Sequence, residues 1–232
     1  MSEQPNGIHL LVQILRSIEE FKQWLLQRPK SKEVDLLLHG TPIEEMETTT
    51  MHDFMVSLQK HINEALISDE EDGCPLNGIL ITTNQCLNCN IEWTQSASPF
   101  FITIEKNIDI QIDSVQKAII SFLEAHYCSR KQCGVCNKDL MVINEYLFAP
   151  KILCVELAHL DVPLNLGKSI VVNGMEYDCI AAIYKRNNVL YSTRLSSTNE
   201  WIYSDPSIGE LLQSDDIQFT FFRQKPSYLH DL

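Results

Sequence analysis

The chain has 232 residues, of which 44% are hydrophobic and 8% aromatic, a composition typical of a globular protein that buries a sizeable core. It carries 18 Lys and Arg against 31 Asp and Glu, so its formal net charge is −13. This charge opposes attraction to nucleic-acid phosphates and to an anionic membrane surface, and the sequence therefore predicts neither partner.

The first part of the chain predicts helices. Apolar residues recur at three- and four-residue steps from Ile8 to Leu26, which indicates one amphipathic helix that Arg28-Pro29 ends. The same period from Met51 to Leu66 predicts a second helix, with a loop over residues 40–50 before it. The acidic run from Ser68 to Gly73 then predicts a solvated connector and a subdomain boundary.

Beyond this connector the pattern changes to strands rich in β-branched and aromatic residues. A third helix interrupts them near Asp113, which we expect to cap the amide of Gln116. Asn173-Gly174 and Asn187-Asn188 each predict a tight hairpin. With helices first and a largely antiparallel sheet last, the predicted fold class is α+β. The predicted strands cover residues 78–85, 92–95, 100–107, 141–148, 151–160, 168–186, 188–195, 200–204 and 217–224.

The compartment follows from what the sequence lacks. No apolar run approaches the ~20 residues that span a bilayer, and the opening residues MSEQPNG lack the basic and then apolar order of a signal peptide. We therefore expect an intracellular protein, in the cytoplasm or the nucleus, without a membrane partner. In that reducing setting the 8 cysteines are better explained by metal ligands and buried thiols than by disulfides.

Two Cys-x-x-Cys pairs form the most specific motif, Cys86 with Cys89 and Cys133 with Cys136. Each spacing lets a tight turn point two thiolates at one ion, and Gly134 suggests a turn whose backbone only glycine adopts easily. Four sulfurs in a tetrahedral array suit Zn²⁺ and leave no position for a water, so we predict a structural zinc site. The long stretch between the pairs requires two separate hairpins with the third helix inserted between them.

The other cysteines leave alternatives open. Four free thiols in strand turns would also produce this pattern, and Cys128 or His126 is close enough in sequence to join the metal site. Cys154 and Cys179 lie within apolar strand patterns and are expected in the core. Cys74 stands beside a proline and is expected to be a loop thiol.

The order of these segments resembles that of the ubiquitin-specific proteases, a family of cysteine deubiquitinases. The two cysteine pairs, the helix between them and the segments YLFAPKILCVEL and VNGMEYDCIAAIYKR follow the family's order from about residue 8 to about residue 223. The family places a proline two residues before an Ile/Val-Leu pair, as Pro150, Ile152 and Leu153 stand here. The resemblance implies the papain-like fold of that family, with a helical thumb, zinc-binding fingers and a β-rich palm.

On this resemblance, residues 1–232 form a single domain. The thumb is expected over residues 8–72, the zinc finger subdomain over residues 73–148 and the palm over residues 149–224. The implied partners are ubiquitin or a ubiquitin-like protein, together with other proteins.

The resemblance also implies where the family's nucleophile, base and orienting carboxylate would stand. The segment from Val12 to Leu15 looks like the family's Leu-Gln segment, which puts Asn6 at about the cysteine position. The family's histidine lies in a Gly-His-Tyr motif, and Leu190 stands at that histidine position here. Asp205, four residues after Trp201, takes the aspartate position, although an ordinary turn aspartate before a proline explains it equally well.

These departures decide the expected activity. A thiol protease needs a thiolate and a positioned imidazole, and neither Asn6 nor Leu190 can supply them. We therefore expect a catalytically degenerate relative, a pseudoenzyme that binds ubiquitin or a ubiquitin-like protein or acts as a scaffold. Since the family holds the ubiquitin tail between thumb and palm, Tyr191, Trp201 and Asp205 are expected along that tail.

Two other functions are alternatives to this expectation. The first is an active cysteine isopeptidase that removes ubiquitin or a ubiquitin-like modifier through a nucleophile placed elsewhere, with Cys74 as the first candidate. The second is a zinc-stabilised scaffold whose partner surface is unrelated to ubiquitin.

Overall fold

The structure is a computed structural model that describes most, but not all, of the 232 residues. The predicted loop over residues 40–50 and the predicted acidic connector from Ser68 to Gly73 lie outside these ranges except for their last residues. No helix in the described part is long and apolar enough to cross a membrane. The described residues are 7–27, 32–39, 50–65, 73–104, 112–157, 160, 164–196, 198, 200–204 and 215–226.

The helices largely follow the predicted apolar periodicity. The first predicted helix is divided at Ile18, whose backbone is extended at φ −84° and ψ 101° and whose side chain is buried. Because Ile18 stays in the core, the apolar period continues across the break and conceals it. The helix from Lys32 to His39 was not predicted at all. The helices of the described part are α1 Gly7–Ser17, α2 Glu19–Leu25, α3 Lys32–His39, α4 Met51–Ala65 and α5 Val115–Leu123.

In the described part of the chain, the strands form two sheets, of four and of seven strands. The four-stranded sheet has the order β2-β1-β5-β4 and is antiparallel throughout. In the seven-stranded sheet the order is β10-β9-β8-β11-β6-β3, with β7 paired to β8, and β3 is the strand that runs parallel to its neighbour. The strands are β1 Ile79–Cys86, β2 Ile91–Ala97, β3 Ile102–Thr103, β4 His126–Gln132, β5 Asp139–Phe148, β6 Ile152–Glu156, β7 Ser169–Val172, β8 Met175–Arg186, β9 Val189–Leu195, β10 Trp201–Tyr203 and β11 Asp216–Gln224.

Both predicted hairpins are confirmed. Asn173 and Gly174 join β7 to β8 with φ values of 49° and 76°. Asn187 and Asn188 join β8 to β9 with φ values of 51° and 63°. Two consecutive left-handed residues are typical of the two-residue turn that matches the twist of the flanking strands, and asparagine and glycine tolerate that conformation best.

The seven-stranded sheet lies between two hydrophobic cores. Strand β6 is buried on both faces, and its side chains alternate between these cores. Ile152 and Cys154 pack with α1, α2, α3 and α4, whereas Leu153 and Val155 pack with α5. The sheet therefore supports a helical layer on one face and a single helix on the other, as expected for an α+β fold.

Three local features differ from the sequence analysis or add to it. The cap of α5 is Ser114, whose hydroxyl accepts from the amide of Lys117 at 3.3 Å, while Asp113 forms an ion pair with the same lysine. Cys74 lies in the loop before β1, as predicted, but its side chain is buried in the helical core. Strand β4 was missed because its polar sequence, HYCSRKQ, shows no apolar alternation.

Candidate functional site

The four predicted metal ligands lie together at one end of the four-stranded sheet. Cys86 and Cys89 lie at the turn from β1 to β2, and Cys133 and Cys136 lie in the turn from β4 to β5. Their sulfur atoms all lie within 4.8 Å of one another. The predicted convergence of two hairpins is thus confirmed, with α5 in the chain between them.

In both turns an asparagine adopts the left-handed backbone conformation. Asn90 and Asn137, each directly after the second cysteine of its pair, have φ values of 55° and 54°. Gly134 lacks the positive φ that we predicted for it, so that interpretation was wrong. The repeated pattern Cys-x-x-Cys-Asn was the signal in the sequence, because asparagine enters the left-handed region more readily than most residues.

Backbone amides favour thiolates in this cluster. Hydrogen bonds from the amides of Val135 and Cys136 lower the pKa of the Cys133 thiol, and the amide of Lys138 is the main cause that lowers the pKa of Cys136 to about 6. The neighbouring Cys136 sulfur instead raises the pKa of Cys89 to about 12. A cation would relieve this competition among the sulfurs.

The donor set fits a structural zinc ion. Zinc takes four thiolates in tetrahedral array, and the cluster offers four sulfurs from two turns. Neither Cys128 nor His126 belongs to the cluster in the described part of the chain; both lie on β4, paired with residues of β5. The candidate ligands among the described residues are therefore the four paired cysteines, and this set is compatible with zinc.

The start of α1 contacts Leu190. Gly7 is the first residue of the helix, and a Cβ atom built on it would lie 3.1 Å from Leu190 Cδ1 and 3.2 Å from Met51 Cγ. Leu190 is half-buried and packs against the helical core. The predicted histidine position is thus an apolar contact between β9 and α1. Asn6 and Asp205 lie outside the described residues.

The β9–β10 hairpin has two different faces. Side chains alternate along a strand, so Tyr191 lies on the opposite face from Leu190 and Arg194. Trp201 is paired with Leu195 and therefore shares the Tyr191 face. The Tyr191 ring also lies beside the tilted ring of Tyr184 on β8, with centroids 5.9 Å apart. We call this face, with Tyr191 and Trp201, the aromatic face.

The other face of the hairpin and α1 enclose a polar groove of about 480 Å³. Arg16 and Gln13 line it from α1, and Ser192 and Arg194 line it from β9. Ser204, directly after β10, closes the far side. We call this the arginine groove. Tyr203 also lines the groove, whereas Tyr191 and Trp201 lie on the opposite face of the hairpin.

Sequence reasoning missed two buried carboxylates. Glu156 of β6 is buried and accepts from Thr103 Oγ1 at 2.7 Å, and His52 Nδ1 lies 2.8 Å from the same oxygen. Asp215 accepts two hydrogen bonds of 2.6 Å from Arg186, which raise the pKa of that guanidinium. For Glu156 the available signal was its position inside the apolar run ILCVEL, since a buried carboxylate requires hydrogen-bond or ion-pair partners.

Comparisons with known proteins establish the fold. No protein-family model matches the chain, and no curated protein matches it. Solved structures of the SAGA DUB module do match. The module of Ubp8, Sgf11, Sus1 and Sgf73 bound to monoubiquitin is 13% identical with a TM-score of 0.65, over 97% of this chain and 69% of that chain.

Two further structures agree. The yeast SAGA DUB module with a mutant Sgf73 is 12% identical with a TM-score of 0.64, over 94% of this chain and 66% of that chain. The module bound to ubiquitin aldehyde is 11% identical with a TM-score of 0.59, over 97% of this chain and 70% of that chain. The chain therefore has the α+β fold of the ubiquitin-specific proteases, as its sequence predicted.

Proposed function

We propose that this chain is a catalytically inactive domain of ubiquitin-specific protease type that binds ubiquitin or a ubiquitin-like protein. The contact between Leu190 and Gly7 carries the first half of the proposal. The second half is supported by the fold, since two of the similar structures are described as bound to monoubiquitin and to ubiquitin aldehyde.

The inactive state follows from the chemistry at the start of α1. A thiol nucleophile requires a base within hydrogen-bond reach, and the Leu190 side chain can neither accept nor donate a proton. Leu190 and Met51 fill the space beside Gly7, so an imidazole cannot approach from that side without displacing them. We therefore place no proton transfer at this position.

The buried cysteines do not offer a substitute nucleophile. Burial raises the pKa of Cys154 well above its usual value and raises the pKa of Cys179 to about 12, so both are thiols at neutral pH. Cys74, the candidate of the active-isopeptidase alternative, is buried beneath the helical layer. None of these three sulfurs is accessible to a protein substrate.

Zinc would have a structural role in this domain. Cys86, Cys89, Cys133 and Cys136 would hold the ion and thereby tie the β1–β2 turn to the β4–β5 turn. Four protein ligands leave no open coordination position, so the ion would stabilise the four-stranded sheet without activating a water.

The aromatic face is our proposed contact for the modifier's C-terminal tail. Trp201 is exposed there, and Tyr191 is half-buried beside it. The ubiquitin tail ends in Leu-Arg-Leu-Arg-Gly-Gly, and its two glycines can lie flat against aromatic rings. The excess of acidic residues in this chain favours binding of the two arginines. Asp205 would meet one of those arginines.

Two assays test the inactive state. We expect no cleavage of ubiquitin conjugates and no covalent adduct with a thiol-reactive ubiquitin probe. Turnover that is lost on Cys74→Ser but kept on Cys128→Ser would overturn the proposal and identify an active isopeptidase. An adduct without turnover, lost in the same variant, would also contradict it.

A further inference from the structure

Among the described residues, two cations of the arginine groove have no acidic partner. None of the ion pairs between described residues involves Arg16 or Arg194. The described residues that line the groove include no Asp or Glu. By contrast, Arg186 and Arg223 each form an ion pair with a carboxylate in this acidic chain.

A role in helix stability accounts for the position of Arg16 but not for that of Arg194. Arg16 lies in the last turn of α1, where a cation is favoured by the helix dipole. Arg194 lies on β9, across the groove, where no helix end accounts for it. Two guanidinium groups that line one groove both favour an anion bound between them.

A hydroxyl group adds a neutral donor to the groove. Ser204 Oγ accepts a hydrogen bond from the amide of Ser192 at 2.9 Å, which uses a lone pair and leaves the hydroxyl proton for a ligand. Ser17 differs, because its hydroxyl donates to the carbonyl of Ile14 at 2.7 Å. Thus Arg16, Arg194 and Ser204 present donors to the same space.

We propose that the arginine groove binds the phosphoryl group of a phosphorylated ligand. A guanidinium donates two parallel hydrogen bonds to a phosphate, and two such groups match its charge and its several acceptor oxygens. The groove volume of about 480 Å³ is in the range of small-molecule sites and leaves room for more than the phosphate. This site lies on the opposite face of β9 from the aromatic face and does not depend on ubiquitin binding.

The test is an NMR titration of the labelled full chain in phosphate-free buffer at constant ionic strength. The probes are inorganic phosphate, O-phosphoserine and, as the neutral match, serine. We expect saturable shifts at Arg16, Arg194 and Ser204 with both phosphate-bearing probes and none with serine. Tighter binding of O-phosphoserine would identify an organic ligand, and equal or tighter binding of phosphate would identify the free ion.

Two variants and one matched control complete the experiment. Arg16→Gln and Arg194→Gln should each weaken binding ~10-fold or more, because each removes charge-assisted hydrogen bonds. Lys168→Gln removes the same charge from an exposed position outside the groove and should leave binding unchanged. Shifts that do not saturate, or an equal loss in Lys168→Gln, would overturn the proposal by showing nonspecific screening. Amide spectra of each variant establish that it is folded.

Discussion

Six of the 8 cysteine sulfurs fall into two chemical environments. Those of the paired cysteines lie within 4.8 Å of one another, and backbone amides lower the pKa of Cys133 and Cys136. Those of Cys154 and Cys179 are buried among apolar side chains that raise the pKa of each. In the cluster, backbone amides thus favour the thiolate form of two sulfurs, which is the form that binds a divalent metal ion.

Replacing one clustered cysteine should release the metal. We expect purified protein to contain about one zinc ion per chain and Cys86→Ser to lose most of it, because three sulfurs bind zinc less well than four. The variant should melt ~4 °C lower or more, as expected for a loss of a few kcal/mol in a chain of this length. Metal analysis and calorimetry measure both effects.

Cys128→Ser is the matched control for this prediction. Cys128 is a cysteine of the same sheet, on β4, but lies outside the cluster. It should keep both the zinc content and the melting temperature. Equal zinc loss in the two variants, or no zinc in the unaltered protein, would contradict the assignment of the ligands.

The Glu156 network should be important for stability. Glu156→Ala removes the common acceptor of Thr103 and His52 and leaves the Thr103 hydroxyl without its partner, so we expect a loss of roughly 1–3 kcal/mol in the free energy of unfolding. Denaturant unfolding measures it. Glu145→Ala, at an exposed position on β5, should change stability by less than ~0.5 kcal/mol. Similar losses in the two variants would show that burial of Glu156 does not matter.

At the level of elements, the contact between α1 and β9 determines what the start of the helix can accommodate. Gly7 has no side chain, and the space beside it is filled by Leu190 and Met51. The resemblance places the family's base at Leu190 and its nucleophile at about Asn6, the residue before Gly7. The contact therefore connects the packing of the helix directly to the proposed loss of activity.

Added bulk at Gly7 should separate these elements. Gly7→Val should destabilise the chain by roughly 1–3 kcal/mol, because its side chain overlaps Leu190 and Met51. The double variant Gly7→Val with Leu190→Ala should recover part of that loss relative to the sum of the single variants. Strictly additive losses in chemical denaturation would show that Gly7 and Leu190 are not in contact.

Local signals explain which elements were predictable. The hairpins at Asn173-Gly174 and Asn187-Asn188 were foreseen because their turn chemistry is encoded in two adjacent residues. The division at Ile18 was not, because a buried residue maintains the apolar period whether the helix continues or bends. Strand β4 is defined by pairing with β5, which its own polar sequence does not reveal.

At the scale of the molecule, the order of segments was more informative than any single motif. The two cysteine pairs and the later strands predicted the fold, and the ubiquitin-specific protease structures confirm it despite an identity of 13% or less. The arginine groove was not predictable, because Arg16 and Arg194 are far apart in sequence and line one groove only in the folded chain. Sites built from distant residues require the tertiary structure.

The most direct test of the proposed function is a titration of isotope-labelled ubiquitin with the unlabelled domain, followed by NMR. We predict saturable shifts in the C-terminal tail and the hydrophobic patch of ubiquitin, with a Kd between ~1 µM and ~1 mM because a flexible tail loses conformational freedom on binding. Trp201→Ala and Tyr191→Ala should weaken binding, whereas Val171→Ala, at an exposed position on β7, should not. Absence of shifts at saturating domain, or shifts unaffected by both aromatic variants, would contradict the account.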